Sequence, residues 1–144
     1  MTALGNAELR QLALRALAKR AGSAAGAEAL AAAAHRAYDD LARVSAPLIG
    51  QGGFDALTGR ALHLARREYL WLDPMGEPEQ AEATFAQVLL CLERQDPAVA
   101  AEAAGALFAL LLGLLVTLIG ESLTAGLVQR AWPDAFSHAS REET

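Results

Sequence analysis

The sequence predicts an all-α protein, a bundle of about five helices whose last member is long and strongly apolar. Three observations lead there. The 144 residues are 53% hydrophobic, and Ala and Leu dominate over β-branched and aromatic types, which favours helices because these side chains lose little freedom in them. Apolar residues recur at spacings of three and four along most of the chain, and no run alternates as a strand would. The stretch AAGALFALLLGLLVTLIG, residues 103 to 120, carries no charge at all, so the helix containing it has no polar face.

The first helix is expected to begin after Asn6, an N-cap residue type, and to place Leu9, Leu12, Ala13, Ala16 and Leu17 on one face. AGSAAG, residues 21 to 26, interrupts it. The second helix carries Leu30, Ala34, Ala37, Leu41, Val44 and Leu48 at heptad spacing, with Glu28, His35, Arg36, Asp39, Asp40 and Arg43 on the opposite side. Pro47 is expected to end or kink it. GQGGF, residues 50 to 54, reads as a tight connection, after which Phe54, Leu57, Ala61, Leu64, Ala65 and Leu72 form the apolar face of a third helix.

WLDPMGEP is the next break, and Pro78 suits the first position of a fourth helix that buries Ala81, Phe85, Val88, Leu89 and Leu92. Gln95, Asp96 and Pro97 then cap and start the last helix, which meets no further proline until Pro133 and has Gly113 and Gly120 as bending points. The bundle is expected to occupy residues 1–132 as one domain, followed by a polar tail over 133–144.

Eighteen uncharged residues reach the lower limit for crossing a membrane, about 17 residues. Against a span, no Trp or Tyr marks the N-terminal edge, and Arg94 and Arg130 flank the run without a sidedness signal. A helix apolar all round is either a span or the centre of a bundle, and four amphipathic helices precede this one. The central-helix reading is therefore preferred. Within the run, Gly105, Ala109 and Gly113 continue a four-residue series of small side chains from Ala101 to Thr117, where another backbone can come close. Leu107, Leu111, Leu114 and Leu118 rise on the other side. A helix needs about five or six neighbours at 8–10 Å to be covered all round, more than the other four helices supply, so these seven residues are the predicted interface.

The function expected is a non-enzymatic oligomerisation or adaptor module, with protein, self or a dedicated partner, as its binding partner and a homo-oligomer as its state. A small single-span membrane protein with a cytoplasmic helical domain is the alternative, and a sensor domain holding an apolar ligand in the Leu-rich cleft is the third reading. The net charge of -5 with Asp and Glu spread among Arg offers no basic face for phosphates, so nucleic acid is excluded as a partner. A single Cys91 forbids an intrachain disulfide. The opening MTALGNAELRQ lacks a charged segment followed by an apolar one, so no export signal is read and the expected location is the cytoplasm, with the inner membrane as the alternative. The near-exclusive use of Arg over Lys hints at a bacterial source.

No catalytic, cofactor-binding or metal-ligating residue is assigned. His35 and Asp39 lie one turn apart on a face rich in ion pairs, His63 sits among Arg60, Arg66 and Arg67 without a nucleophile, and GQGGF lacks the lysine and preceding strand of a phosphate loop. Cys91 reads as a small core residue. Two carboxylates stand apart as candidates for buried charge. Glu68 shares a helical phase with Ala61, Leu64 and Leu72, and Glu121 ends the apolar run in line with Leu114, Thr117 and Val128. A buried carboxylate needs a partner, and Arg43, Arg60 and Arg130 are the candidates.

Overall fold

A computed structural model describes residues 5–22, 26–72, 81–133 and 135. They form six α-helices: α1 (Asn6–Ala21), α2 (Ala27–Ile49), α3 (Gln51–Glu68), α4 (Ala81–Glu93), α5 (Pro97–Ile119) and α6 (Glu121–Ala131), with one 3-10 turn at Leu70–Leu72 after α3. The all-α bundle is as expected, with one helix more than the five predicted. The last helix does not continue unbroken to Pro133. It stops at Gly120, whose φ of 96° and ψ of 160° lie in a region essentially restricted to glycine.

Helix boundaries follow local chemistry in most places. Asp96 caps α5 by accepting from the Ala98 N–H at 3.1 Å, with Pro97 in the first turn, where its missing N–H costs nothing. Asn6 is already helical and Gly5 holds the cap position of α1. Pro47 does not end α2; the helix runs two residues past it, and Gly50 terminates it at φ 84°. A proline in the last turn forfeits only one intrahelical bond. The expected five-residue connection shrinks to Gly50 alone, since Gln51 to Phe54 are already helical. The expected start of α4 at Pro78 lies outside the described residues, as do the side chain of Ala81 and nearly all of the tail after Pro133. Ala135 is described, and it is fully buried, its carbonyl accepting from Arg15 Nε at 2.9 Å.

α5 and α2 are the two central helices. α1 lies along α5 and crosses α2, α3 packs on α5 and α2, and α4 and α6 pack on α2. Leu14 meets Gly105 while Leu9 meets Gly113, so α1 is antiparallel to α5. Alanines at the contacts, among them Ala13, Ala16, Ala33, Ala37, Ala103 and Ala104, are essentially inaccessible and let the backbones approach. Aromatic rings join the elements across the middle. Tyr38 stacks on Phe85 at 4.0 Å between centroids and meets Phe54 at 5.4 Å, while Phe108 sits edge-on to Phe85 and to Trp132. Trp132 is fully buried, and its Nε1 donates to the Ala37 carbonyl at 3.1 Å, satisfying the one polar atom of the ring.

The chain carries an internal repeat. α2 and α5 are both 23 residues long, displaced by 70 positions (Ala27 to Pro97, Ile49 to Ile119), and each is followed by a single glycine and another helix. In that register Ala31, Ala33, Ala34, Leu41, Leu48, Ile49, Gly50, Leu57, Arg60 and Ala61 recur unchanged as Ala101, Ala103, Ala104, Leu111, Leu118, Ile119, Gly120, Leu127, Arg130 and Ala131. The packing repeats too, because α1 on α5 mirrors α4 on α2, and α3 on α5 mirrors α6 on α2. Each unit of three helices is thus covered mainly by the other unit, and the two helix-Gly-helix corners lie at the same end of the bundle.

Candidate functional site

The predicted interface residues divide into two groups along α5. Gly105, Leu107, Ala109 and Leu111 are buried inside the chain, Ala109 alone of them bordering the surface groove beside α5. At Gly105 the reason is α1: a Cβ there would stand 2.8 Å from Leu14 Cδ2 and 3.2 Å from its Cγ, so the small-residue stripe is mated within the chain. Gly113 and Leu114 are half-buried and Leu118 is 57% exposed. The difference follows from the reach of α1, whose Leu9 already lies 3.9 Å from the Cβ position of Gly113. α5 continues another turn and a half beyond that level.

Beside this open part runs a groove of about 300 Å³. Leu9 of α1 and Leu64 of α3 form its sides, and Leu110, Gly113, Leu114 and Thr117 of α5 its floor. None of the described lining residues is charged, and Thr117 turns its hydroxyl back to the Gly113 carbonyl at 3.1 Å, leaving its methyl group for an apolar contact. The surface is therefore a leucine ridge next to a shallow apolar trough.

The two carboxylates singled out for burial are placed otherwise. Glu68 is exposed. The inner arc of α3 runs through Phe54, Thr58, Ala61, Leu62 and Ala65, turned by about 80° from the arc through Leu57, Leu64 and Glu68, so Leu57 and Leu64 are half-buried and Glu68 falls outside at the last helical residue. Glu121 is half-buried. It opens α6 rather than closing α5, and a carboxylate in a first turn faces the positive end of the helix dipole. Of the candidate partners, Arg43 donates to Asp40 at 2.9 Å instead.

Other polar groups do structural work. Arg20 Nη2 donates to Asp40 Oδ2 at 2.8 Å and to the Ala131 carbonyl at 3.0 Å, tying α1, α2 and the end of α6 together. Partial burial penalises the Asp40 carboxylate, but hydrogen bonds from Arg20 and Arg43, reinforced by their charges, more than offset it and hold its pKa below the usual carboxylate value. Burial, together with the hydrogen bond to Glu102 and that carboxylate's charge, pushes the Tyr69 phenol above its ordinary value. His35 and Asp39 approach to 3.5 Å with both side chains about 60% exposed, an arrangement typical of a solvated helix face. His63 is exposed and Cys91 half-buried. Among the described residues no three His, Cys, Asp or Glu side chains are grouped as a metal site would require.

A second groove, of about 450 Å³, separates the C-terminal end of α2 from α6. Sequence periodicity gave no sign of it. The signal available was the repeat, which aligns Val44, Pro47 and Leu48 with Leu114, Thr117 and Leu118 and so marks the C-terminal ends of both central helices as equivalent. The chain matches no family of known proteins, and no curated protein or solved structure is significantly similar to it.

Proposed function

We propose that the protein is a self-associating helical module, a non-enzymatic interaction domain whose contact is made by the open C-terminal half of α5. The observation that carries this reading is the uncharged ridge and trough formed by Leu110, Gly113, Leu114, Thr117 and Leu118. A ridge beside a trough on one surface is self-complementary, as a two-fold contact requires. A surface without charge also lacks the groups that steer a charged partner, and a second copy supplies a face equally free of charge. The small side chains at Gly113 and Thr117 allow two α5 helices to cross closely.

A membrane span is the second reading, supported by the length and apolarity of α5, the one helix among the described residues that meets both requirements. Burial weighs against it: 61% of the most apolar 18-residue window of α5 is enclosed by the other helices, which a lipid-facing helix would not need. Cytoplasmic location goes with the self-associating reading.

Light scattering on detergent-free protein at low micromolar concentration is expected to give at least twice the 15.1 kDa chain mass. Leu118→Glu should reduce the mass to that of one chain and leave the melting temperature of the monomer unchanged, since the side chain is already 57% exposed. A wild-type protein that is monomeric under these conditions would overturn the proposal. Recovery only from carbonate-washed membranes would replace it with the membrane reading.

A further inference from the structure

The two repeats differ where α6 lies on α2 and α3 lies on α5. Ser45 and Thr124, both fully buried on the facing sides of that pair, occupy the positions held in the other repeat by Leu115 and Phe54, which are also fully buried. Two small hydroxyl side chains thus stand where a leucine and a phenylalanine fill the α5 and α3 pair. The groove of about 450 Å³ lies along this thinner contact, walled by Val44, Pro47 and Leu48 on one side and Leu123, Gly126 and Leu127 on the other.

Among the described residues neither the Ser45 Oγ nor the Thr124 Oγ1 has a hydrogen-bond partner. Each belongs to the residue next to a groove wall, Val44 or Leu123, and turned one helical step inward. Unsatisfied buried hydroxyls weaken a fold and are uncommon, whereas Leu115 and Phe54 fill these positions in the other repeat, where the groove beside α5 is smaller, about 300 Å³. Among the described residues the polar lining consists of Ser122 and Arg130. Arg130 is exposed and makes no hydrogen bond or ion pair among the described residues. It stands seven residues, about 10 Å, beyond Leu123 along α6, so a cation marks one end of an apolar trough.

We propose that this groove binds a single-chain fatty acid, with its hydrocarbon tail lying between α2 and α6 and its carboxylate paired with the Arg130 guanidinium. The volume falls within the range of small-molecule sites, about 300–1,000 Å³, and apolar walls with few polar groups are what such sites have. A planar guanidinium donates two parallel hydrogen bonds to a carboxylate. Leu48 and Leu123, about half exposed along the groove, gain cover from the tail. The site is separate from the α5 surface and does not depend on self-association there.

Calorimetric titration of the full, delipidated chain with decanoate tests the assignment. Decanoate is expected to bind saturably, one molecule per chain. Gly126→Leu should weaken it by about tenfold or more without lowering the melting temperature, because a Cβ at Gly126 meets no atom within 4 Å and the new side chain enters the groove instead of the core. Arg130→Gln should weaken decanoate by about fivefold and leave decanol binding unchanged. Absence of saturable binding, equal affinity of the Gly126→Leu chain, or equal losses for decanoate and decanol in Arg130→Gln would each overturn the proposal. A Gly126→Leu chain of reduced oligomer mass, together with no decanoate binding by the wild type, would assign the groove to a second copy instead.

Discussion

Replacing Gly105 with alanine sets two opposed effects against each other, and the structure decides which is larger. Alanine in a helix interior is favoured over glycine by about 0.5–1 kcal/mol. At Gly105 the new methyl would lie 2.8 Å from Leu14 Cδ2 and 3.2 Å from Leu14 Cγ. Leu14 is only partly buried, but its Cγ as well as its Cδ2 lies too close, so relief requires the whole isobutyl group to rotate or α1 to move off α5. Overpacking of this kind costs about 1–3 kcal/mol. The net expectation is a loss of about 0–2 kcal/mol. Gly59 and Gly126 provide the control, since both are helical, exposed and open around the Cβ position; alanine there should gain about 0.5–1 kcal/mol. Urea unfolding midpoints for the three variants, measured at one protein concentration, separate the terms. The Gly105→Ala midpoint should fall below both controls by an amount equivalent to about 1 kcal/mol or more. If Gly105→Ala is as stable as the controls, α1 does not seat its Leu14 on the small-residue stripe of α5.

Three further outcomes are expected. Gly120→Ala should destabilise by about 1–3 kcal/mol although nothing lies within 4 Å of its Cβ position, because the cost is conformational; thermal unfolding of this variant beside Gly126→Ala checks it, and equal melting temperatures would contradict the corner at residue 120. Asp40→Asn should lose most relative to wild type near neutral pH. The Asp40 pKa is lowered in the folded state, so its contribution is complete above the unfolded value of about 3.9 and disappears as the pH falls through the folded one; a difference in unfolding free energy that persists undiminished to pH 2 would argue against the Arg20 and Arg43 contacts. Glu68→Gln should match Glu28→Gln within about 0.5 kcal/mol in chemical denaturation, as both residues are exposed, and a much larger loss at Glu68 would restore it to the interior.

Periodicity was enough to identify what each helix buries where a single face meets a single neighbour. Leu9, Leu12, Ala13, Ala16 and Leu17 are all buried because α1 has one apolar stripe and one way to turn it. On α3 the stripe is broad, with Leu57, Ala61 and Leu64 competing with Thr58, Leu62 and Ala65. Burial of Thr58 depends on its hydroxyl donating to the Phe54 carbonyl at 3.0 Å and meeting the Tyr38 hydroxyl at 3.1 Å, a tertiary contact that no spacing encodes. Glu68 was misplaced for that reason. On α5 the stripe of small residues was legible, but whether α1 or another molecule covers each part of it was not. The break at Gly120 was accessible in principle, since a glycine alone is ambiguous but the second occurrence of Leu-Ile-Gly, with Leu, Arg and Ala following at the same distances, identifies it as a corner.

The repeat also accounts for the composition of the apolar run. Glu28, His35, Arg36, Asp39, Asp40 and Arg43 on α2 have Ala98, Gly105, Ala106, Ala109, Leu110 and Gly113 as their counterparts on α5. In α5 the cover lies over these positions: Leu14 sits on Gly105, and Gly105, Ala106 and Ala109 are buried. In α2 the equivalent cover comes from α4, and it leaves His35, Arg36 and Asp39 exposed, where charge is stable. α5 is therefore charge-free from Ala103 to Ala109 because α1 encloses that stretch, with Glu102 just before it exposed and paired with Tyr69, and neither lipid nor a partner is needed to explain that part. Its last turns call for a different cause, because they are open in this chain and still carry no charge. Their counterparts Val44, Pro47 and Leu48 are uncharged as well, and also border a groove. A polar residue at Leu118 or Leu48 would be favoured if that end of the bundle met only water. Retention of leucine at both places, each half or more exposed, is the pattern expected where both repeats keep an apolar surface for something that binds.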